Sequence, residues 1–125
     1  MAQTPYNMNG GGNTAGAAEE TLNMSLNGAA GAAATAVAAN TRFNISDVCF
    51  SGAAATNFSI QQTNDGVAWF DIYQTRLAAA GTIHVTLGTA ITVTGGAAVS
   101  VRMRVETPGG AAAVTSFIGG TLNND

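Results

Sequence analysis

Residues 57–73 read NFSIQQTNDGVAWFDIY, a sequence typical of two β-strands joined by a tight turn. Polar and apolar residues alternate before the turn, which is the pattern of a strand with one buried face. The turn is Asn64-Asp65-Gly66, and Asp and Gly tolerate the positive φ angles that tight hairpins require. Trp69 and Phe70 are adjacent in the returning strand, so we expect their side chains on opposite faces of the sheet.

Short segments of the same kind continue on both sides of this hairpin, at 21–27, 41–50, 82–87, 91–93, 99–105 and 114–118. Asp47 interrupts the alternation in 41–50, which predicts a bulge there. Residues 28–40 are rich in Ala and Gly, and we interpret them as a loop leading into a strand near Val37, with a short helix as the alternative. About eight short strands separated by turns predict a single all-β domain, an antiparallel sandwich or barrel.

The first 20 residues differ in composition from the rest. They are rich in Gly, Asn and Ala, and only Tyr6 and Met8 offer large apolar side chains within 3–20. This composition predicts a flexible N-terminal arm over residues 1–20, followed by the sandwich domain over residues 21–125. We expect Tyr6 and Met8 to be the arm's contacts with a partner. Arg102 and Arg104, on the polar side of the strand 99–105, are the other predicted contacts.

Charge and composition exclude several classes of function. Of 125 residues, 25 are Ala and none is Lys, and the net charge is −3, so no basic surface is available to bind nucleic acid. No apolar run is long enough for a membrane helix. The sequence begins without the basic and apolar regions of a signal peptide, which predicts synthesis in a cytoplasm.

The sequence contains too few reactive and titratable side chains for an evident catalytic site. One Cys and one His exclude a disulfide framework and a cysteine-based zinc site, and we expect no metal or cofactor. His84 lies on the polar side of its strand, and Cys49, between Val48 and Phe50, is expected to act as a small apolar residue. A Cys–His pair is left open. Asp65 and Asp47 are explained by the turn and the bulge, so we predict a protein without enzymatic activity.

A second kind of motif links the hairpin to known proteins. Residues 63–69, Thr-Asn-Asp-Gly-Val-Ala-Trp, and residues 95–105, with a Gly-Gly turn before Val-Ser-Val-Arg-Met-Arg-Val, resemble the hairpin of jelly-roll and related sandwich modules in phage particles and carbohydrate-binding domains. The whole chain, with its Gly-rich start and its absence of Lys, resembles the small decoration, or cement, proteins of tailed-phage capsids.

The resemblance implies a jelly-roll-like β-sandwich that is located on the capsid exterior after synthesis in the host cytoplasm. It also implies a homotrimer that clamps neighbouring major capsid subunits. One alternative is another phage particle component from the tail, neck or fibre. A further alternative is a carbohydrate-binding module that uses Trp69 or Tyr73, although core packing is the default role of both aromatic residues.

Overall fold

The computed structural model describes residues 3–124, and this part of the chain forms eleven β-strands and no helix. The strands are β1 (Gln3–Pro5), β2 (Met8–Asn13), β3 (Glu20–Leu22), β4 (Met24–Leu26), β5 (Thr35–Ala36), β6 (Thr41–Gly52), β7 (Thr56–Thr63), β8 (Trp69–Leu77), β9 (Gly81–Thr94), β10 (Ser100–Glu106) and β11 (Ala113–Asn124). Within residues 3–124, no helix is long and apolar enough to cross a membrane.

The strands form two sheets, and the paired strands are antiparallel. The first sheet has the order β4-β2-β11-β6-β9. The strand β1 pairs with the same edge of β11 as β2, at the C-terminal part of β11. The second sheet has the order β3-β10-β7-β8, and β5 lies beside β3 on the same edge of β10.

The connectivity of the two sheets is that of a jelly roll. We count β1 and β2 together as position 1, β3 and β5 together as position 2, and β4 as an added edge strand. The strands β6 to β11 are then positions 3 to 8. In this numbering the first sheet has the order 1-8-3-6 and the second has the order 2-7-4-5. These are two interlocked Greek keys. The predicted all-β antiparallel sandwich is therefore confirmed.

The core lies between the inward faces of the two sheets. Phe50 of β6 stacks on Phe58 of β7 with ring centroids 4.7 Å apart, which joins the sheets at their centre. The largest fully buried side chains are Phe43, Phe50, Phe58, Met8, Met24, Ile45, Ile60, Met103, Ile118, Val37, Val48 and Val93. Burial of one such side chain stabilises the fold by about 1.5–3 kcal/mol. A chain with few large apolar residues therefore obtains a core by turning most of them inward.

The N-terminal residues form strands of the sandwich and not the flexible arm that the sequence predicted. Residues 3–13 supply β1 and β2, which pair with β11 in the first sheet. Met8 is fully buried and Tyr6 is 9 % exposed. The Tyr6 ring meets Phe43 edge-on at 4.9 Å, and its hydroxyl donates a hydrogen bond to the Ala36 carbonyl oxygen at 2.7 Å. Burial also raises the pKa of Tyr6. Both side chains belong to the core of their own chain, so the prediction that they contact a partner is wrong.

Gly10 of β2 allows close packing of the neighbouring chain segment. A Cβ atom on Gly10 would lie 2.3 Å from the Asn23 carbonyl oxygen and 2.6 Å from the Met24 Sδ atom. Only glycine permits this approach of β4 to β2. At Gly10, the glycine that contributed to the expectation of a flexible arm is required by the folded sheet.

The predicted boundary between residues 20 and 21 does not separate an arm from a domain. The hydroxyls of Thr14 and Thr107 lie 2.6 Å apart in a buried hydrogen bond, and Thr107 also donates to the Gly16 carbonyl oxygen at 3.1 Å. Residues 14–16 are thus attached to the loop that follows β10. The described chain from residue 3 onward forms one β-sandwich.

Other differences concern the lengths of strands. The segment 21–27 forms two short strands in different sheets, because the chain crosses from β3 to β4 at Asn23. The segments 82–87 and 91–93 form one strand, β9, with extra residues opposite the predicted bulge of β6. Residues 28–40 form a loop with the short strand β5, and no helix is present there. Val37 is fully buried, as expected of the residue that anchors this loop.

Candidate functional site

The outer face of the second sheet is a grid of polar side chains, which we name the polar face. Val101, Met103 and Val105 of β10 are fully buried, so the alternating residues of that strand point outward. Directly paired residues on neighbouring strands share a face. The polar face therefore consists of Asn57, Ser59 and Gln61 of β7, Trp69, Asp71, Gln74 and Arg76 of β8, and Arg102, Arg104 and Glu106 of β10.

A chain of hydrogen bonds crosses the polar face from β10 to β8. The Arg102 Nε atom donates to Gln61 Oε1 at 2.9 Å, and Gln61 Nε2 donates to Asp71 Oδ1 at 2.9 Å. Gln74 Nε2 donates to the other oxygen of the same carboxylate. The Arg102 guanidinium carbon lies 4.1 Å from the centroid of the Trp69 ring, which is a cation–π contact. The guanidinium, amide, carboxylate and indole groups of this chain are therefore each in contact with at least one other member.

The two arginines of β10 have different partners. Arg104 Nε lies 3.3 Å from Glu19 Oε1, and Arg104 Nη1 donates to Thr21 Oγ1 at 2.8 Å. The pKa of Arg102 is lowered, first because partial burial removes water from the guanidinium and then because Arg104 is a neighbouring positive charge. Partner contact by Arg102 and Arg104 was predicted from sequence. The structure places both on the polar face, and a contact through them stays a prediction.

A groove of about 200 Å³ lies over Ser59 on the polar face. Ser59 is short, whereas its neighbours in the same row, Arg104 and Gln74, are long. The rim consists of Glu19, Asn57, Gln61, Asp71, Gln74, Arg104 and Glu106. Together with Glu19, the polar face holds six of the eleven charged residues of the protein (four Arg, seven Asp or Glu). The scarce charge of this chain is thus concentrated on one face.

The hairpin between β7 and β8 is rigid at its turn and apolar beyond it. Asp65 Oδ1 accepts hydrogen bonds from the Val67 and Ala68 amides at 2.8 and 2.9 Å and from the Thr63 hydroxyl at 3.1 Å. The hydrogen bonds from these two backbone amides are the main cause of the lowered pKa of Asp65. Val67 is 83 % exposed and Phe70 is 45 % exposed. The sequence predicted this turn correctly.

Cys49, His84 and Asp47 meet on the outer face of the first sheet. Cys49 of β6 pairs directly with His84 of β9, so the Cys–His pair left open by the sequence is a cross-strand pair. His84 Nε2 lies 3.6 Å from Asp47 Oδ1, and their side chains are 63 % and 42 % exposed. A catalytic base must be within hydrogen-bond reach of the group that orients it, and the His84–Asp47 distance is longer than a hydrogen bond. Cys49 is half-buried, and its side chain points away from the core that receives Val48 and Phe50.

One side of the sandwich, which we name the open side, is incompletely covered. It is bounded by β8 and β9, the edge strands of the two sheets. The apolar residues there are only half-buried: Ile72, Tyr73, Ile83, Val85, Leu87 and Ile91. On the opposite side Leu22 and Val37 are 9 % and 0 % exposed. The core is therefore closed on one side and accessible on the other.

Tyr73 is one of these open-side residues, and its ring centroid lies 6.3 Å from that of Phe50. It pairs with the buried Ile60 and faces inward. Tyr73 therefore does not share the face that carries Trp69. Among residues 3–124, no group of three or more His, Cys, Asp or Glu side chains is arranged to hold a metal ion.

Sequence reasoning did not identify the amide side chains of Gln61 and Gln74, which both bind the Asp71 carboxylate. The alternation of Asn57, Ser59 and Gln61 along β7 is a local signal that places them on one face. Their neighbours on β8 and β10 depend on the strand order and register, which the alternation does not contain.

No family model and no curated protein matches the chain. Among solved structures, the crystal structure of PirA is similar over 94 % of this chain and 92 % of its own, with 12 % sequence identity and a TM-score of 0.38. A likeness at this level carries no argument about function.

Proposed function

We propose that this protein is a non-enzymatic structural component of a phage particle, which decorates the capsid exterior and binds between major capsid subunits. In this proposal it is a homotrimer. The observation that carries the proposal is the open side, because its half-buried apolar residues are suited to burial against another subunit.

The edge strand β9 supports an assembly role. Proteins commonly protect a long edge strand with charged residues or proline, which prevent pairing with another chain. Between Gly81 and Thr94 there is no Asp, Glu, Lys, Arg or Pro, although a bulge interrupts the strand near Leu87. Three copies that meet along their open sides would cover Ile83, Val85 and Leu87 without bringing like charges together.

The assignment to a phage capsid rests on sequence resemblance. Residues 63–69 and 95–105 resemble segments of sandwich modules from phage particles, and the composition resembles that of capsid cement proteins. The alternative is a component of the tail, neck or fibre, for which the same open side would serve.

Co-sedimentation with expanded capsids that lack the protein tests this function. We expect saturable binding and capsids that resist heating better than bare capsids. Electron microscopy of the particles then gives the location, and copies at threefold positions of the shell support decoration. Copies along the tail would favour the alternative, and failure to bind capsids at all concentrations would contradict the proposal.

A further inference from the structure

We propose that the groove over Ser59 binds one uncharged hexose unit of an oligosaccharide. The groove lies on the polar face, apart from the open side, whose apolar residues carry the proposal of a capsid role. Its rim consists of amide, carboxylate and guanidinium groups carried by three neighbouring strands and by Glu19.

The chemistry of the rim matches sugar hydroxyls. A hydroxyl both donates and accepts a hydrogen bond, and a pyranose presents several of them in pairs. An amide such as that of Gln74 offers a donor and an acceptor side by side, and the carboxylates of Asp71 and Glu106 accept from hydroxyl donors. A groove of about 200 Å³ is of the size of a single pyranose ring.

Part of the rim is held in place by hydrogen bonds within the protein. Gln61 is fixed between Arg102 and Asp71, and Gln74 is bonded to the same Asp71 carboxylate. Side chains that are already ordered lose less conformational entropy on binding. The rows of β7, β8 and β10 therefore provide an ordered set of hydrogen-bonding groups at the groove.

The charge balance favours a neutral sugar over an acidic one. Three carboxylates border the groove, those of Glu19, Asp71 and Glu106, and the only guanidinium on the rim is that of Arg104. Arg104 is already paired with Glu19. Two carboxylates remain without a cation on the rim, so a uronic acid or a phosphorylated sugar would meet repulsion.

Trp69 does not line the groove, but it is connected to the rim through Arg102 and can serve as a reporter. It is the only Trp of the protein, and it contacts Arg102, which is joined to the rim through Gln61. Contact of a sugar with Gln61 is expected to change the position of Arg102 over the indole. The tryptophan fluorescence should therefore respond to binding.

The experiment measures binding of neutral hexasaccharides built from glucose, mannose, galactose or N-acetylglucosamine, by calorimetry and by Trp69 fluorescence. Oligogalacturonate is the acidic comparison. We expect saturable binding of at least one neutral probe, and at least tenfold weaker binding of oligogalacturonate.

The key variants are Gln61→Ala and Ser59→Gln, which remove a rim group and fill the groove. Gln62→Ala is the matched control, because Gln62 is the next residue and pairs with the inward-facing Val101. We expect at least a tenfold loss of affinity for the first two and none for the control, with folding checked by thermal melting. The proposal is overturned if no neutral probe binds, if oligogalacturonate binds best, or if both groove variants bind like the unaltered protein. Capsid co-sedimentation of the groove variants is expected to remain normal, so failure here is distinguishable from failure of the structural role.

Discussion

At the scale of single residues, Gly66 is held in a conformation that a side chain opposes. Its φ angle is +81°, and a Cβ atom there would meet nothing within 4 Å, so only the backbone conformation penalises a substitution. We expect Gly66→Val to lower the free energy of unfolding by about 1–2 kcal/mol, the cost of a left-handed conformation for an L-residue. Denaturant unfolding measures it.

Gly88→Val is the matched control for this prediction. Gly88 is also exposed and also has open space around it, but its φ angle lies outside the left-handed region. Equal effects of the two substitutions would show that the conformation of Gly66 is not the cause.

We expect the ionisation of Asp65 to make the stability of the folded protein depend on pH. Its pKa is lowered in the folded protein by the hydrogen bonds from the Val67 and Ala68 amides. A carboxyl whose pKa is lowered by folding stabilises the protein above its unfolded pKa, about 3.9, and the stabilisation disappears as the pH falls through the folded pKa.

Thermal melting of the unaltered protein and of Asp65→Asn, from pH 7 down to pH 2, tests this prediction. The difference between their midpoints should be constant above about pH 5 and should shrink below about pH 4. A difference that grows on acidification would contradict the assigned role of Asp65.

At the scale of elements, we expect β1 and β2 to be required for folding of the sandwich. A protein that begins at Glu20 would lose the buried Met8 and Tyr6 and would leave one edge of β11 unpaired. We expect it to lose cooperative unfolding, as measured by circular dichroism during heating. A folded monomer with an unchanged melting temperature would show that these strands are dispensable.

Substitution of Met8 measures how much β2 contributes to the free energy of unfolding. Met8→Ala is expected to cost about 2–5 kcal/mol, because it leaves a cavity in the core. Met8→Leu keeps the volume and is expected to cost less than about 1.5 kcal/mol. Similar small costs for both variants would mean that β2 contributes little to the core.

The sequence predicted those elements whose signal is local. The alternation around Phe58 and Val101 fixed both the strand and its buried face, and Asp47 marked the bulge of β6. The strand β2 was missed because Met8 is its only large apolar residue, and its stability comes from pairing with β11, 100 or more positions away in the sequence. The groove over Ser59 was missed for the same reason, because its rim is assembled from strands whose order the sequence does not state.

At the scale of the whole molecule, the open side predicts self-association. Thr82→Lys combined with His84→Lys places two charges on the exposed side of β9, where they would oppose strand pairing. The homotrimer that we propose should dissociate in this variant, as measured by light scattering. The control is Ala29→Lys combined with Ala33→Lys, two exposed positions on the loop after β4.

The control isolates the effect of position from that of added charge. It should keep the mass of the unaltered protein in solution. A monomer in all three cases would remove self-association through the open side, and a trimer in all three would place the contact elsewhere.

The pairing of the first and last strands has a consequence for protein engineering. Gln3 lies opposite Asn123 in adjacent antiparallel strands, so the two ends of the fold emerge at one pole of the sandwich. A short linker from Asn124 to Gln3 would close the chain into a ring, and the exposed Ala78–Ala80 loop between β8 and β9 offers a place to reopen it. Such a circular permutant would keep the strand pairings of the jelly roll. A peptide fused before Gln3 or after Asn124 would emerge from the same pole.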